Sequence, residues 1–133
     1  MTLEPPRPGA PSGGTAPLAI LDAAALARLR ELDPDGRHGV LTRVLAAFET
    51  SLARMLVQLR AELDAGDPGV VAGVAHTLKS SSASVGALAL AASCTAVERR
   101  LRNGAPGDLH ADVERLVSDG EAALRAVGAM LRP

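Results

Sequence analysis

The stretch His38–Leu63, HGVLTRVLAAFETSLARMLVQLRAEL, decides the fold. Leu41, Val44, Leu45, Phe48, Leu52, Met55, Leu59 and Leu63 recur in it at three- and four-residue steps. That period of about 3.6, sustained over several turns, predicts one long amphipathic helix, which Ala65-Gly66 closes. Upstream, Asp22 suits the N-cap of a short helix with Leu26 and Leu29 on one side, ending before the Asp33-Pro34-Asp35-Gly36 turn.

Downstream, Asp67-Pro68 opens a third helix with a capping carboxylate and proline at the first helical position. It runs to about Val85, where Gly86 supplies a left-handed cap. A fourth, from Ala87 to about Arg102, aligns Leu90, Cys94, Val97 and Leu101 before Asn103-Gly104 stops it. The fifth is capped by Asp108 and carries Leu109, Val113, Leu116, Gly120, Leu124, Val127 and Leu131. Four long helices joined by short loops predict an all-α fold, an antiparallel four-helix bundle with a short additional N-terminal helix.

Composition agrees. Among 133 residues there are 20 Leu, 26 Ala and 11 Val, one Phe, and no Trp or Tyr. Helix formers dominate and strand formers are scarce. The length fits one domain. Residues 1–17 hold five of the nine prolines (Pro5, Pro6, Pro8, Pro11, Pro17) and read as a flexible tail, leaving 18–133 as the bundle. A net charge of −1 without a basic block, and the lack of aromatics, argue against nucleic acid. No apolar run of about 18 residues is present to span a membrane, and the N-terminus has no signal-peptide pattern. A lone Cys94 excludes an internal disulfide and suits the cytoplasm.

The third helix carries the functional signal. With His76 at zero and about 100° per residue, Val71, Val74, Leu78 and Val85 fall on the opposite side and form the core seam. His76 then centres the outward face, surrounded by Ala72, Gly73, Lys79, Ser80 and Ala83, all small except the lysine. A face so free of long side chains lets another protein approach the imidazole closely. Lys79, one turn on, is the only lysine among 14 basic residues. Its ammonium is a compact charge suited to a phosphoryl group, and neutral imidazole is a competent nucleophile near pH 7.

The run Ala75-His76-Thr77-Leu78-Lys79-Ser80-Ser81-Ser82-Ala83-Ser84-Val85-Gly86-Ala87, followed by Leu90, Cys94 and Glu98, resembles the signature of histidine-containing phosphotransfer (HPt) domains, four-helix modules of multistep phosphorelays. The detailed likeness covers about 25 residues, and the helical layout from Asp22 to Leu131 agrees with it. The resemblance implies that His76 is the phosphoacceptor and Lys79 its electrostatic partner. It implies reversible exchange with an aspartate on the receiver domain of a response regulator or hybrid sensor kinase, with Mg²⁺ held by that receiver and no cofactor in this chain. The family often has glycine directly after the lysine; Ser80 stands there, small enough for docking to survive with altered partner preference.

Other readings compete. No glycine-rich phosphate loop or ATP-binding domain is present, so autophosphorylation is not expected. The dimerising histidine domain of sensor kinases usually follows its His with an acidic residue and then proline, unlike Thr77 and the proline-free stretch to Gly86. A phosphate-independent helical interaction module is the alternative; a small helical enzyme lacks a visible nucleophile–base set. His38 and His110 read as surface residues, no two histidines are spaced to share a metal, and Cys94 reads as a small core residue. Ser81 and Ser82 are expected to bond back to carbonyls one turn earlier. The run Glu98, Arg99, Arg100, Arg102 reads as a solvated helix end. Every apolar stripe is used by the bundle, so a monomer is expected.

Overall fold

Aspartate side chains at several helix starts and left-handed glycines at two helix ends, Gly66 and Gly104, take up backbone groups that the helices leave unpaired. The computed structural model describes residues 20–104 and 109–133. Within them α1 spans Ala23–Glu31, α2 Val40–Ala65, α3 Pro68–Ser84, α4 Leu88–Asn103 and α5 Leu109–Leu131, with no strand. The predicted tail and the predicted Asp108 cap lie outside the described residues.

Asp22 caps α1 by accepting from the Ala25 N–H at 3.1 Å. Asp67 caps α3 through Gly69 and Val70, with Pro68 at the first position. The start of α2 differs from the predicted His38. Gly39 sits in the left-handed region at φ 61°, and the nearly buried Asp33 carboxylate accepts from the N–H groups of His38 and Val40. Asp33, read only as a turn residue, therefore also caps α2 from a distance and delays it by two residues.

Consecutive helices pack as neighbours, α5 closes back onto α2, and α1 lies against α2. Short connections make the sequential pairs antiparallel. The core fills with Leu45, Phe48, Leu52, Leu56 and Leu59 of α2, Val71, Val74 and Leu78 of α3, Leu90, Cys94 and Val97 of α4, and Val113, Leu116 and Val127 of α5. Each fully buried leucine contributes about 1.5–3 kcal/mol relative to exposure. Leu56 was absent from the predicted stripe, whereas Met55 and Leu63 are only partly buried. The reason is Gly120: a Cβ there would stand 2.6 Å from Leu56 Cδ2, so the glycine makes the hollow that Leu56 fills. No helix among the described residues is long and apolar enough to cross a membrane.

The turn from α3 to α4 is a second close approach, here of backbone on backbone. Gly86 has φ 81°, its carbonyl accepts from the Asp22 N–H at 2.8 Å, and a Cβ on it would lie 2.7 Å from Asp22 N. Conformation and space both demand glycine, because the start of α1 rests on this peptide. We expect Gly86→Ala to destabilise the protein by at least about 2 kcal/mol in urea unfolding, combining left-handed strain with a backbone collision. An unchanged midpoint would contradict this packing.

Candidate functional site

The face of α3 forms as the spacing predicts. Val71, Val74, Leu78 and Val85 are buried, while the His76 side chain is 77% exposed. Gly73, Ser80 and Ala83 are exposed beside it, and Ala72 and Lys79 are half-buried. Gly73 has no packing duty, since a Cβ there would meet nothing within 4 Å. A mid-helix glycine costs about 1 kcal/mol against alanine, and here it leaves the surface next to the imidazole low.

The α3–α4 hairpin brings one further group to this face. His76 lies ten residues before Gly86 and Glu98 twelve after it, so antiparallel pairing sets them side by side. Glu98 Oε2 is 3.1 Å from His76 Nδ1, and Oε1 is 2.7 Å from Lys79 Nζ. The lysine contact is an ion pair without good hydrogen-bond angles. Lys79 and then His76 hold the Glu98 carboxyl below its ordinary range, against a smaller opposing effect of burial. An ionised carboxylate can only accept, so a hydrogen bond across this contact places the proton on His76 Nδ1. In the neutral ring the lone pair is then on Nε2, the nitrogen remote from Glu98.

Lys79, expected from sequence as the electrostatic partner of a phosphoryl group on His76, is tied to Glu98 across the helix pair. The acidic and basic run is likewise not a solvated end: Glu98 is 19% exposed, and Arg100 pairs with Asp112 of α5. With the Ser93–Asp119 hydrogen bond, this tie fixes α4 from its far side and holds Glu98 in position. Ser81 bonds back to Thr77 and Leu78 as expected, but Ser82 does not; its hydroxyl is fully buried without a hydrogen-bond partner among the described residues. Thr77 and Ser84 take the back-bonding role instead, to Gly73 and Ser80.

Cys94, one turn before Glu98, is buried, and burial followed by the Glu98 charge pushes its thiol up to about 12, which leaves it an inert core residue. His38 is exposed, and His110 contacts Leu63 O and Glu114 on the surface. Among the described residues no group of three or more His, Cys, Asp or Glu is arranged to hold a metal ion.

The comparisons with known proteins meet this geometry. The Hpt-domain family model matches residues 43–129. The chain belongs to the Hpt domain family. Histidine-containing phosphotransfer protein B from Pseudomonas aeruginosa PAO1, a crystal structure, is similar at 26% identity and a TM-score of 0.71, over 85% of this chain and 95% of that one. No curated protein matches. Membership makes the chain a histidine phosphotransfer intermediate of a phosphorelay, and it favours that over a phosphate-independent module. As an Hpt domain the chain is a phosphocarrier.

Glu98 is the site residue that sequence reading undervalued. Its signal was available: it follows Cys94 by one turn on the core side of α4, at the level of His76 when residues are counted from Gly86.

Two outcomes follow from this site. Lys79→Ala raises the Glu98 pKa toward the ordinary carboxylate range more than His76→Ala does, as read by carboxyl ¹³C shifts during titration. Because the folded value is depressed, the stabilisation from this cluster is present above the ordinary carboxylate range and fades as pH falls through the folded value. Gly73→Ala raises stability by up to about 1 kcal/mol, since helix propensity improves without any clash; a loss would show that Gly73 is needed by the fold.

Proposed function

We propose that His76 Nε2 is the phosphoacceptor of this Hpt domain, exchanging the group with an aspartate on a receiver domain of a response regulator or hybrid sensor kinase. The observation that carries the reading is the Nδ1···Glu98 contact, which leaves the nucleophilic lone pair on the solvent-facing nitrogen of an otherwise unobstructed ring.

In the forward step the Nε2 lone pair attacks phosphorus in line with the aspartyl oxygen. The N–P bond forms, the P–O bond breaks, and the aspartate departs as a carboxylate. The ring, still protonated on Nδ1, becomes cationic as the bond forms, and the adjacent Glu98 carboxylate stabilises that charge. The same protonated ring is a good leaving group, so the step runs in reverse with equal ease in principle. Lys79 lies one turn along α3 from His76 and offsets charge on the phosphoryl oxygens once it swings from Glu98.

Ala72, Gly73, Ser80 and Ala83 form the docking face in this reading, with low side chains that let the receiver aspartate come within transfer distance. Mg²⁺ belongs to the receiver, where it neutralises the transferring group. The chain has no autokinase activity, works as a monomer, and meets its partners in the cytoplasm.

The test is transfer from receiver domains phosphorylated on aspartate with a small phosphodonor. Wild type gains one acid-labile, alkali-stable phosphoryl group while the receiver loses it, and His76→Gln gains none. Gly73→Arg keeps the fold yet slows transfer at least about tenfold, because a long side chain obstructs a near-attack geometry. Labelling of His76→Gln at the wild-type level would overturn the assignment.

A further inference from the structure

On the flank of His76 away from Glu98, α2 and α3 enclose an open groove lined by Met55, Gln58, Val70, Gly73, Val74 and Thr77. Gln58 stands eight residues before Gly66 and Val74 eight after it, so the antiparallel hairpin sets them level. Helical side chains lean toward the N-terminus of their own helix, which carries the His76 ring over the turn of Gly73, at the height of Gln58. The Nδ1 edge of that ring lies against α4, where Glu98 meets it. The Cδ2–Nε2 edge is the other side of the ring, so it turns toward α2 and the groove. Gly73 and Thr77 lie about 60° and 100° round the helix from His76 on this flank, whereas Lys79 lies about 60° round on the opposite one.

Little in the groove is available to a polar ligand. Met55, Val70 and Val74 are apolar, and the Thr77 hydroxyl already donates to Gly73 O at 3.0 Å. Gln58 is the exception. It is the only glutamine in the chain, it is exposed, and its carboxamide has no hydrogen-bond partner among the described residues. With nothing to fix the amide plane, the NH2 can turn toward an incoming oxygen and offer two donors. Packed helices lie about 8–10 Å apart, a gap that two long side chains reaching from either wall of one groove can close.

We infer that Gln58 binds the phosphoryl group carried by His76, its side-chain NH2 donating to an equatorial oxygen of the group on Nε2. The inference rests on the Nε2 reading above and adds a phosphoryl ligand on the flank that Lys79 does not occupy. A group on Nε2 extends from the α2-facing edge of the ring, over the low surface at Gly73, toward the carboxamide. Lys79 reaches it from the α4 side. Held by a donor on each flank, the phosphoryl group is oriented for in-line displacement instead of turning freely about the N–P bond. The amide forms no covalent bond and neither gains nor loses a proton, so it serves both directions of exchange alike. Being neutral, it orients the group without the added attraction of a second cation, which would favour retention on the carrier.

The first readout uses the isolated protein phosphorylated by phosphoramidate, with no receiver present. Gln58 and Asn103 carry the only two side-chain amides in the chain, so each gives a separate NH2 pair in a ¹H–¹⁵N spectrum. Phosphorylation moves the Gln58 pair downfield and leaves that of Asn103 in place, and His76→Ala treated alike shows neither change. The second readout is single-turnover transfer from phosphorylated receiver at saturation. Gln58→Leu lowers that rate about tenfold, and Gln58→Glu lowers it further by setting a carboxylate against the phosphoryl oxygens. Receiver affinity stays within about twofold and the thermal midpoint is unchanged, because the position is exposed. Arg54→Ala, one turn earlier on α2 and outside the groove, keeps the wild-type rate. An unmoved Gln58 amide in protein labelled on His76 Nε2, or a wild-type rate in Gln58→Leu, would overturn the inference and leave the phosphoacceptor standing. Weaker affinity with an unchanged saturated rate would make Gln58 a docking contact and overturn it too. A label found elsewhere than His76 Nε2 would overturn both readings, and the position of the label tells that case from the others.

Discussion

The peptide at Gly86 is the constraint on which the site depends. With no room for a Cβ and with its carbonyl bound to the Asp22 N–H, it fixes where α3 stops and α4 starts. Once that turn is set, the antiparallel register is set too, and Glu98 comes level with His76 and Lys79. A slip of one residue would rotate Glu98 by about 100° and separate it from both partners. The α1 segment, which contributes no group to the site, thus matters to it by buttressing the turn.

Glu98 in turn gives the imidazole its chemical asymmetry. Two nitrogens of a free histidine compete for one proton; a carboxylate at Nδ1 resolves the competition in favour of an outward lone pair. The contact also keeps the ring in one orientation, so that less entropy is lost when a partner docks. This arrangement persists because the carboxylate is supported on both oxygens and α4 is tied to α5 behind it. The surface in front stays low, with small residues that do nothing for the core.

Much of this was legible in the sequence. The bundle followed from the stripe of α2 and from the Asp-Pro and Gly punctuation, because those signals are local and short-range forces settle them. The outward direction of His76 followed from helical period alone. What was not legible depended on pairs distant in sequence. The Leu56–Gly120 fit, the Asp33 cap reaching to Val40, the Arg100–Asp112 tie and the Glu98 bridge each join residues whose proximity is set by packing. The charge run was misread for that reason: its four members lie within five residues, yet Glu98 faces α3, Arg100 faces α5, and Arg99 and Arg102 are exposed. Ser82 shows the same limit, since its burial without a partner could not be told from the back-bonding of its neighbours.

The most direct test of the account is long-range ¹H–¹⁵N NMR of the His76 ring before and after phosphorylation. The account predicts a neutral ring protonated on Nδ1 in the resting protein and a phosphoryl group on Nε2 afterwards, with Glu98→Gln disturbing the first pattern. A ring protonated on Nε2 at rest, or a phosphoryl group on Nδ1 or on another residue, would contradict it.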